Sequence, residues 1–230
     1  MVDYLLYFFK SFCDMDKTLI DILSRMQDPT EQKPNTRKQT PSWYAHRDAE
    51  KLDNVNFISQ LEDYILNEKN KNHRRDGYFI LGKILLNISS KRKLLIKHKN
   101  SIQFLINQLE IETDKYILSS ILDRLSDIPI LSDLNIKPII SNLTNKLWLI
   151  RHSAICSLTK SEHNFVEDEI IKIIKNSTDN NDITYANSVL NHIGTIKSME
   201  YLEPLTKSRI RDIKISASFA IESIKKRNMP

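Results

Sequence analysis

The sequence predicts an all-α fold of stacked helical pairs, on three observations. An apolar stripe at helical spacing recurs along the C-terminal two-thirds of the chain, its copies return at a regular interval, and glycine is scarce. In the last copy, DIKISASFAIESI from Asp212 to Ile224, the small residue Ala217 is followed by Ala220, Ile221 and Ile224. Spacings of three, four and seven place these side chains on one buried face of an α-helix. The same template fits Ala186 with Val189, Leu190 and Ile193, and Ala154 with Ser157 and Leu158. It fits Leu118 with Ile121, Leu122 and Leu125, and Gly77 with Ile80, Leu81 and Ile84. The anchors Gly77, Leu118, Ala154, Ala186 and Ala217 lie 41, 36, 32 and 31 residues apart, an interval that marks helical pairs stacked on one another. Three glycines and seven prolines in 230 residues are too few for the turns of a β-sandwich or for a nucleotide-binding α/β fold.

Residues 1–28 read as an N-terminal amphipathic helical segment, with Leu5, Leu6, Phe8, Phe9, Phe12, Leu19, Ile22, Leu23 and Met26 as its apolar members. Its aromatic density predicts docking on the body of the protein, with a partner or a membrane surface as the alternatives. Residues 29–41 are polar, hold three prolines and lack periodicity, so they form a linker. Residues 42–230 form the repeat domain. A helix restarts at SWYAHRDAEKL with Ser42 or Asp48 as its cap. Another covers about 55–67, with Phe57, Ile58, Leu61, Tyr64 and Ile65 on one face. Each later anchor helix has a companion, within 101–109, 136–143, 167–174 and 199–206. Pro138 sits in a first turn, where its missing N–H costs little. Gly194 is expected to end a helix in the left-handed conformation.

The net charge is +5, and it is segregated. Residues 69–99 hold ten basic side chains against Asp76 alone, and residues 200–230 hold seven against four acids. Such clustering suits an acidic or nucleic-acid partner, and equally a solvated lysine coat. Two unpaired cysteines, Cys13 and Cys156, fit a reducing compartment and supply no disulfide framework or zinc site. Asp3, Lys10 and the lack of a cleavage site argue against a signal peptide. No run approaches 18 uninterrupted apolar residues. A cytoplasmic protein is expected.

The segment IGTIKSMEYLEPLTKSRIRDIKISASFAIESIKKR, Ile193 to Arg227, resembles HEAT repeats, specifically the short variety named after phycobilisome lyases. LWLIRHSAICSL from Leu147 to Leu158 is a second copy, and ILSSILDRL from Ile117 to Leu125 a diverged one. The resemblance covers about residues 72–228. It implies an α-α superhelix, a HEAT-like solenoid with an N-terminal helical cap, whose second helices bind another macromolecule. Related helical stacks serve as chromophore lyases, assembly scaffolds and DNA-alkylation glycosylases. The glycosylase members carry a Trp-Leu-x-Arg motif, which Trp148-Leu149-Ile150-Arg151 resembles. A Trp ring there could stack on a cationic base. The helix around Ala186 lacks the second aromatic and helper carboxylate that such an enzyme implies. The alternative makes Trp148 a packing residue between repeats and Arg151 an inter-repeat basic residue.

No catalytic, metal or cofactor-binding set emerges. The six histidines, His46, His73, His98, His152, His163 and His192, have no metal-ligand spacing on one helix face. His163 beside Glu167, Asp168 and Glu169 reads as a helix-start charge cluster. His46-Arg47-Asp48 matches a kinase catalytic loop in letters only, without a Gly-rich loop or metal-binding Asp. The candidate residues for an anionic partner are Arg74, Arg75, Lys91, Arg92, Lys93, Lys97, Arg209 and Arg211, with Trp148 as a candidate for stacking. Lysines past a helix end also offset its dipole. The reading is a non-enzymatic scaffold that binds a protein partner. The alternative is a nucleic-acid-binding repeat protein related to the glycosylases, and a third is an accessory factor acting on a prosthetic group.

Overall fold

The computed structural model describes residues 15–28 and 40–228. The aromatic run from Leu5 to Phe12, its expected docking, Cys13 and nearly all of the linker lie outside them. The described chain is helical, with one isolated parallel bridge between Ile130 and Ser161, and no described helix is long and apolar enough to cross a membrane. It divides into two compact units, Met1–Leu105 and Ile106–Pro230.

The first unit contains α1 (Lys17–Met26), α2 (Pro41–Ala49), α3 (Phe57–Asn67), α4 (Lys71–Ser89), α5 (Arg92–Lys97) and the first part of α6 (Lys99–Gln108). The cap of α2 is Thr40, whose hydroxyl accepts the Trp43 N–H, and Pro41 opens the helix. Neither Ser42 nor Asp48 serves, because proline fixes its own φ and prefers the first helical position directly after a cap. The face of α3 expected from its spacing, Phe57, Ile58, Leu61, Tyr64 and Ile65, is buried throughout. Helix α4 is buried on several sides, by Gly77, Tyr78, Ile80, Leu81, Ile84, Leu85 and Ile88. Gly77 is required by close approach: an added Cβ would lie 2.9 Å from Ile65 Cγ1 and 3.0 Å from Tyr64 Cδ1. Asn87 fastens α4 to the end of α2 by donating to Glu50 O and Leu52 O.

The second unit contains α7 (Lys115–Ser126), α8 (Lys137–Asn142), α9 (Trp148–Ser157), α10 (Val166–Asn176), α11 (Asn180–Ile193), α12 (Ile196–Leu205) and α13 (Arg211–Asn228). Here the predicted repeat is laid out in space. Pairs α8/α9, α10/α11 and α12/α13 pack as hairpins, and the second helices α7, α9, α11 and α13 pack on one another in chain order. Ala154, Ala186 and Ala217 are fully buried where these helices meet, since only a small side chain lets the backbones come this close.

Polar latches share that register. Ser119, one residue after its anchor, bonds Ser153, one residue before the next, at 2.9 Å. Asn187, one after Ala186, donates to Ser216, one before Ala217, at 3.0 Å. Gly194 does not adopt the left-handed conformation. Its φ is −62° and ψ 146°, and no described glycine has positive φ. The helix ends instead with the Gly194 N–H on Leu190 O at 2.8 Å, and the chain leaves extended. Glycine is needed because a Cβ would meet that carbonyl oxygen at 2.6 Å.

Candidate functional site

The outward face of α7, α9, α11 and α13 follows from the same register. The residues two before the anchors are Tyr116, His152, Thr184 and Ile215, and those two after are Ser120, Cys156, Ser188 and Phe219. With an anchor buried, positions four apart on its far flank fall on a common second stripe. Large apolar side chains are exposed along or beside it: Tyr116, Trp148 at 63%, Tyr185, Ile215 and Phe219 at 60%. Between α11 and α13 this face opens into a groove of about 680 Å³, lined by Ser188, Asp212, Ser216, Phe219, Glu222 and Lys226 among others.

Between α9 and α11 the polar latch is replaced by an ion cluster. Arg151 Nε donates to both oxygens of Asp182, at 2.8 and 2.7 Å, and Arg151 Nη2 donates to Asp179 Oδ2 at 2.9 Å. Its Nη1 reaches Asn145 O. Asp182 is buried and also accepts from Ser177. Asp179 caps α11, and the Asn181 N–H it accepts is the main reason its carboxyl lies below the usual range. His152 is buried beside them, with Nε2 at 2.9 Å from Asp182 Oδ1 and 3.7 Å from Asp179 Oδ2, off the line of a hydrogen bond.

One ligand atom from each of His152, Asp179 and Asp182 lies within 4.8 Å of the others, a grouping of types that could hold a divalent ion. Arg151 pairs with both carboxylates, so the chain's own cation stands where a metal would, and two carboxylates against one guanidinium leave one negative charge over. On the other side of Arg151 and Asp182 is a cavity of about 420 Å³ walled by Ile140, Leu143 and Ile173. Its charged groups are paired with one another, Arg151 with Asp182 and Lys172 with Glu169.

Arg151 thus bridges repeats as its inter-repeat reading implies. Trp148 does not pack between repeats: it stands exposed at the start of α9, its ring 5.5 Å from that of His152. The acids after His163 are separately employed. Glu167 accepts from Thr195 and Ser198 at the start of α12, and Asp168 pairs with Lys197. Cys156 is half-buried, and burial pushes its thiol up to about 11.

The basic candidates fall in separate places. Arg74 and Arg75 lie in the first turns of α4, while Lys91, Arg92, Lys93 and Lys97 follow its other end. Nineteen residues of helix put roughly 28 Å between those ends. Arg74 is spent partly on the carbonyls of Glu68 and Lys69, and Lys91 lies 3.9 Å from Asp53. Arg75, Lys93 and Lys97 are exposed, as are Arg209 and Arg211 in the second unit. The Arg151 cluster escaped sequence reasoning because its acids lie about thirty residues away, in the next repeat. The residue types at the start of α11, Ser177 to Asp182, are those of an ordinary cap.

No family model matches the chain. No curated protein matches it either. Solved structures do. An engineered protein from a structural-genomics consortium aligns with a TM-score of 0.55 at 16% identity, over 90% of this chain and 97% of that one. A designed armadillo repeat protein in complex with peptide (KR)4 aligns at 0.55 and 11%, over 88% and 98%. A second designed armadillo repeat protein aligns at 0.52 and 11%, over the same shares. The fold is an all-α helical-repeat solenoid. Identities this low speak to the fold alone.

Proposed function

We propose that this chain is a non-enzymatic repeat protein that holds a protein partner, as an extended segment, along the outward face of α7, α9, α11 and α13. The observation that carries this is the run of exposed Tyr116, Trp148, Tyr185, Ile215 and Phe219 on one face of four consecutive helices. The same helices bury their anchor stripes, so the apolar surface is not a failure to form a core. An apolar, aromatic surface rimmed by polar groups is what protein contacts use. The peptide complex of a designed armadillo protein, whose fold this chain shares, supports the reading. Within it, the segments from Leu147 onward are repeats of the short HEAT type that they resemble.

Nucleic-acid binding is the second reading, carried by exposed Arg75, Lys93 and Lys97 in the first unit. Beside Trp148, across His152, lie Asp179 and Asp182 with only Arg151 between them, a net negative charge that disfavours a phosphate backbone. The test is selection from a displayed peptide library, followed by Phe219→Ala and Tyr116→Ala. Peptides whose affinity falls about tenfold or more on these changes are expected. Salt-sensitive duplex binding, lost when Lys91, Arg92 and Lys93 are changed to Glu, with no peptide selected, would favour the second reading.

A further inference from the structure

Trp148, His152 and Tyr185 form a continuous shelf of three rings across two repeats. The centroids of Trp148 and His152 are 5.5 Å apart at 51°, and those of His152 and Tyr185 are 4.8 Å apart at 47°. The outer two rings are solvent-exposed and the middle one is buried between them. Beneath the shelf are two carboxylates, Asp179 and Asp182, against one guanidinium, Arg151. Asp182 is buried, whereas the Asp179 side chain is one-third exposed at 34%. Elsewhere the chain lays its own cations over rings: Arg47 over Trp43, Lys83 over Phe79, Lys115 over Tyr116 and Lys175 over Tyr201, at 5.0 to 5.6 Å. Among the described residues, no such contact is made to Trp148 or Tyr185.

We infer that this shelf seats one cationic side chain of the bound segment, a guanidinium or an ammonium, methylated or not. The inference rests on the peptide-binding reading and names its partner chemistry. The negative face of an aromatic ring attracts a cation within about 6 Å of its centroid. Trp148 and Tyr185 are exposed rings on adjacent helices, and the one-third-exposed Asp179, in a cluster that is one negative charge over, supplies the counter-charge. Arg151 cannot occupy the seat, because Nε, Nη1 and Nη2 are all bonded beneath it. An anionic side chain is repelled by the carboxylate, and a neutral one gains apolar contact with the rings but nothing from the charge.

Calorimetric titration of the full chain tests this, with octalysine, its fully trimethylated form, its fully acetylated form and octaglutamate as probes. In parallel, a Trp43→Phe background leaves Trp148 as the only indole, so that its emission reports the seat directly. Octalysine or its trimethylated form is expected to bind and change Trp148 emission, while the acetylated form and octaglutamate do neither. Tyr185→Leu and Asp179→Asn are each expected to weaken binding about tenfold, and Trp148→Phe less than Trp148→Leu. Tyr185→Leu lies outside the ion cluster, so a folding defect of Asp179→Asn, read by circular dichroism, leaves the test intact. Equal binding of the acetylated peptide, or cationic binding insensitive to Tyr185→Leu, overturns the seat. A library-selected peptide that is lost on Phe219→Ala but lacks any need for a basic residue overturns the seat and leaves the peptide-binding reading standing. If neither the probes nor any selected peptide bind, both fall.

Discussion

The two compact units handle charge differently. Residues 1–105 hold 18 basic side chains against 13 acidic, the whole of the net +5, whereas residues 106–230 hold 16 of each. In the first unit Arg25, 30% exposed, shares Asp21 and Asp48, themselves 62% and 46% exposed. In the second, Arg151 is 18% exposed and Asp182 only 5%, and the pair lies between successive repeats. The first unit is organised by one long helix buried on several sides, the second by four anchored helices in common register. A repeated register does two things at once. It aligns latches between neighbouring helices, and it aligns whatever is left exposed into one surface.

Removing one arginine from each unit should separate the two most strongly. Arg151→Ala leaves Asp182 buried without its main partner and is expected to cost about 3–5 kcal/mol. Arg25→Ala removes an exposed pair and is expected to cost about 0–1 kcal/mol. Urea denaturation checks both, and similar losses would mean that burial does not separate the two pairs.

Glycine substitutions come next. Gly194→Ala drives a Cβ against the Leu190 carbonyl, which cannot yield without unwinding the end of α11, and should cost about 1–3 kcal/mol. At Gly77→Ala the obstacles are the side chains of Ile65 and Tyr64. These can shift a little, and alanine's helix preference returns about 1 kcal/mol, so a smaller loss is expected. Thermal denaturation of the two variants should rank them in that order.

The pH dependences have opposite signs. Burial is the largest cause of the raised Glu62 carboxyl in the first unit, against a hydrogen bond from Ser101 that lowers it. Its folded pKa then exceeds its unfolded one, so its ionised form destabilises at neutral pH. Glu62→Gln should raise the denaturation midpoint at pH 7, and the advantage should fade as pH falls through the raised pKa. Asp179 in the second unit is depressed, chiefly by the Asn181 N–H. Its stabilisation is present above its unfolded pKa and is lost as pH falls through the depressed one, so Asp179→Asn should flatten the acid end of the stability profile. The smallest effect concerns Cys156. With its thiol at about 11, alkylation at pH 8 in a Cys13→Ser background should be slower than for a free thiol and should accelerate on unfolding.

Much of this fold was legible in the residues. The anchors Ala154, Ala186 and Ala217 and the face of α3 are buried where the spacing of apolar side chains puts them, because a 3.6-residue period is a local property; in α13 Ala217, Ala220 and Ile224 are buried and Ile221 is half-buried. Endings were less legible. Thr40 rather than Ser42 caps α2, although the Thr40-Pro41 pair carries the signal. Gly194 is forced by a carbonyl contact instead of by its own φ. Trp148, which could be packing or exposed on its sequence alone, is exposed.

The helical-repeat class, the interval between pairs and the identity of the buried stripe can be read from the residues alone, because the stripe is a local 3.6-residue period and its copies recur along the chain. It is the packing of one helix on the next that brings Arg151 to Asp179 and Asp182, Ser119 to Ser153 and Asn187 to Ser216, and that joins Trp148, His152 and Tyr185 into one shelf. Those contacts cross about thirty residues of chain. Their geometry depends on how far one helix slides along the next, which is set by packing between the helices and by no pattern within either.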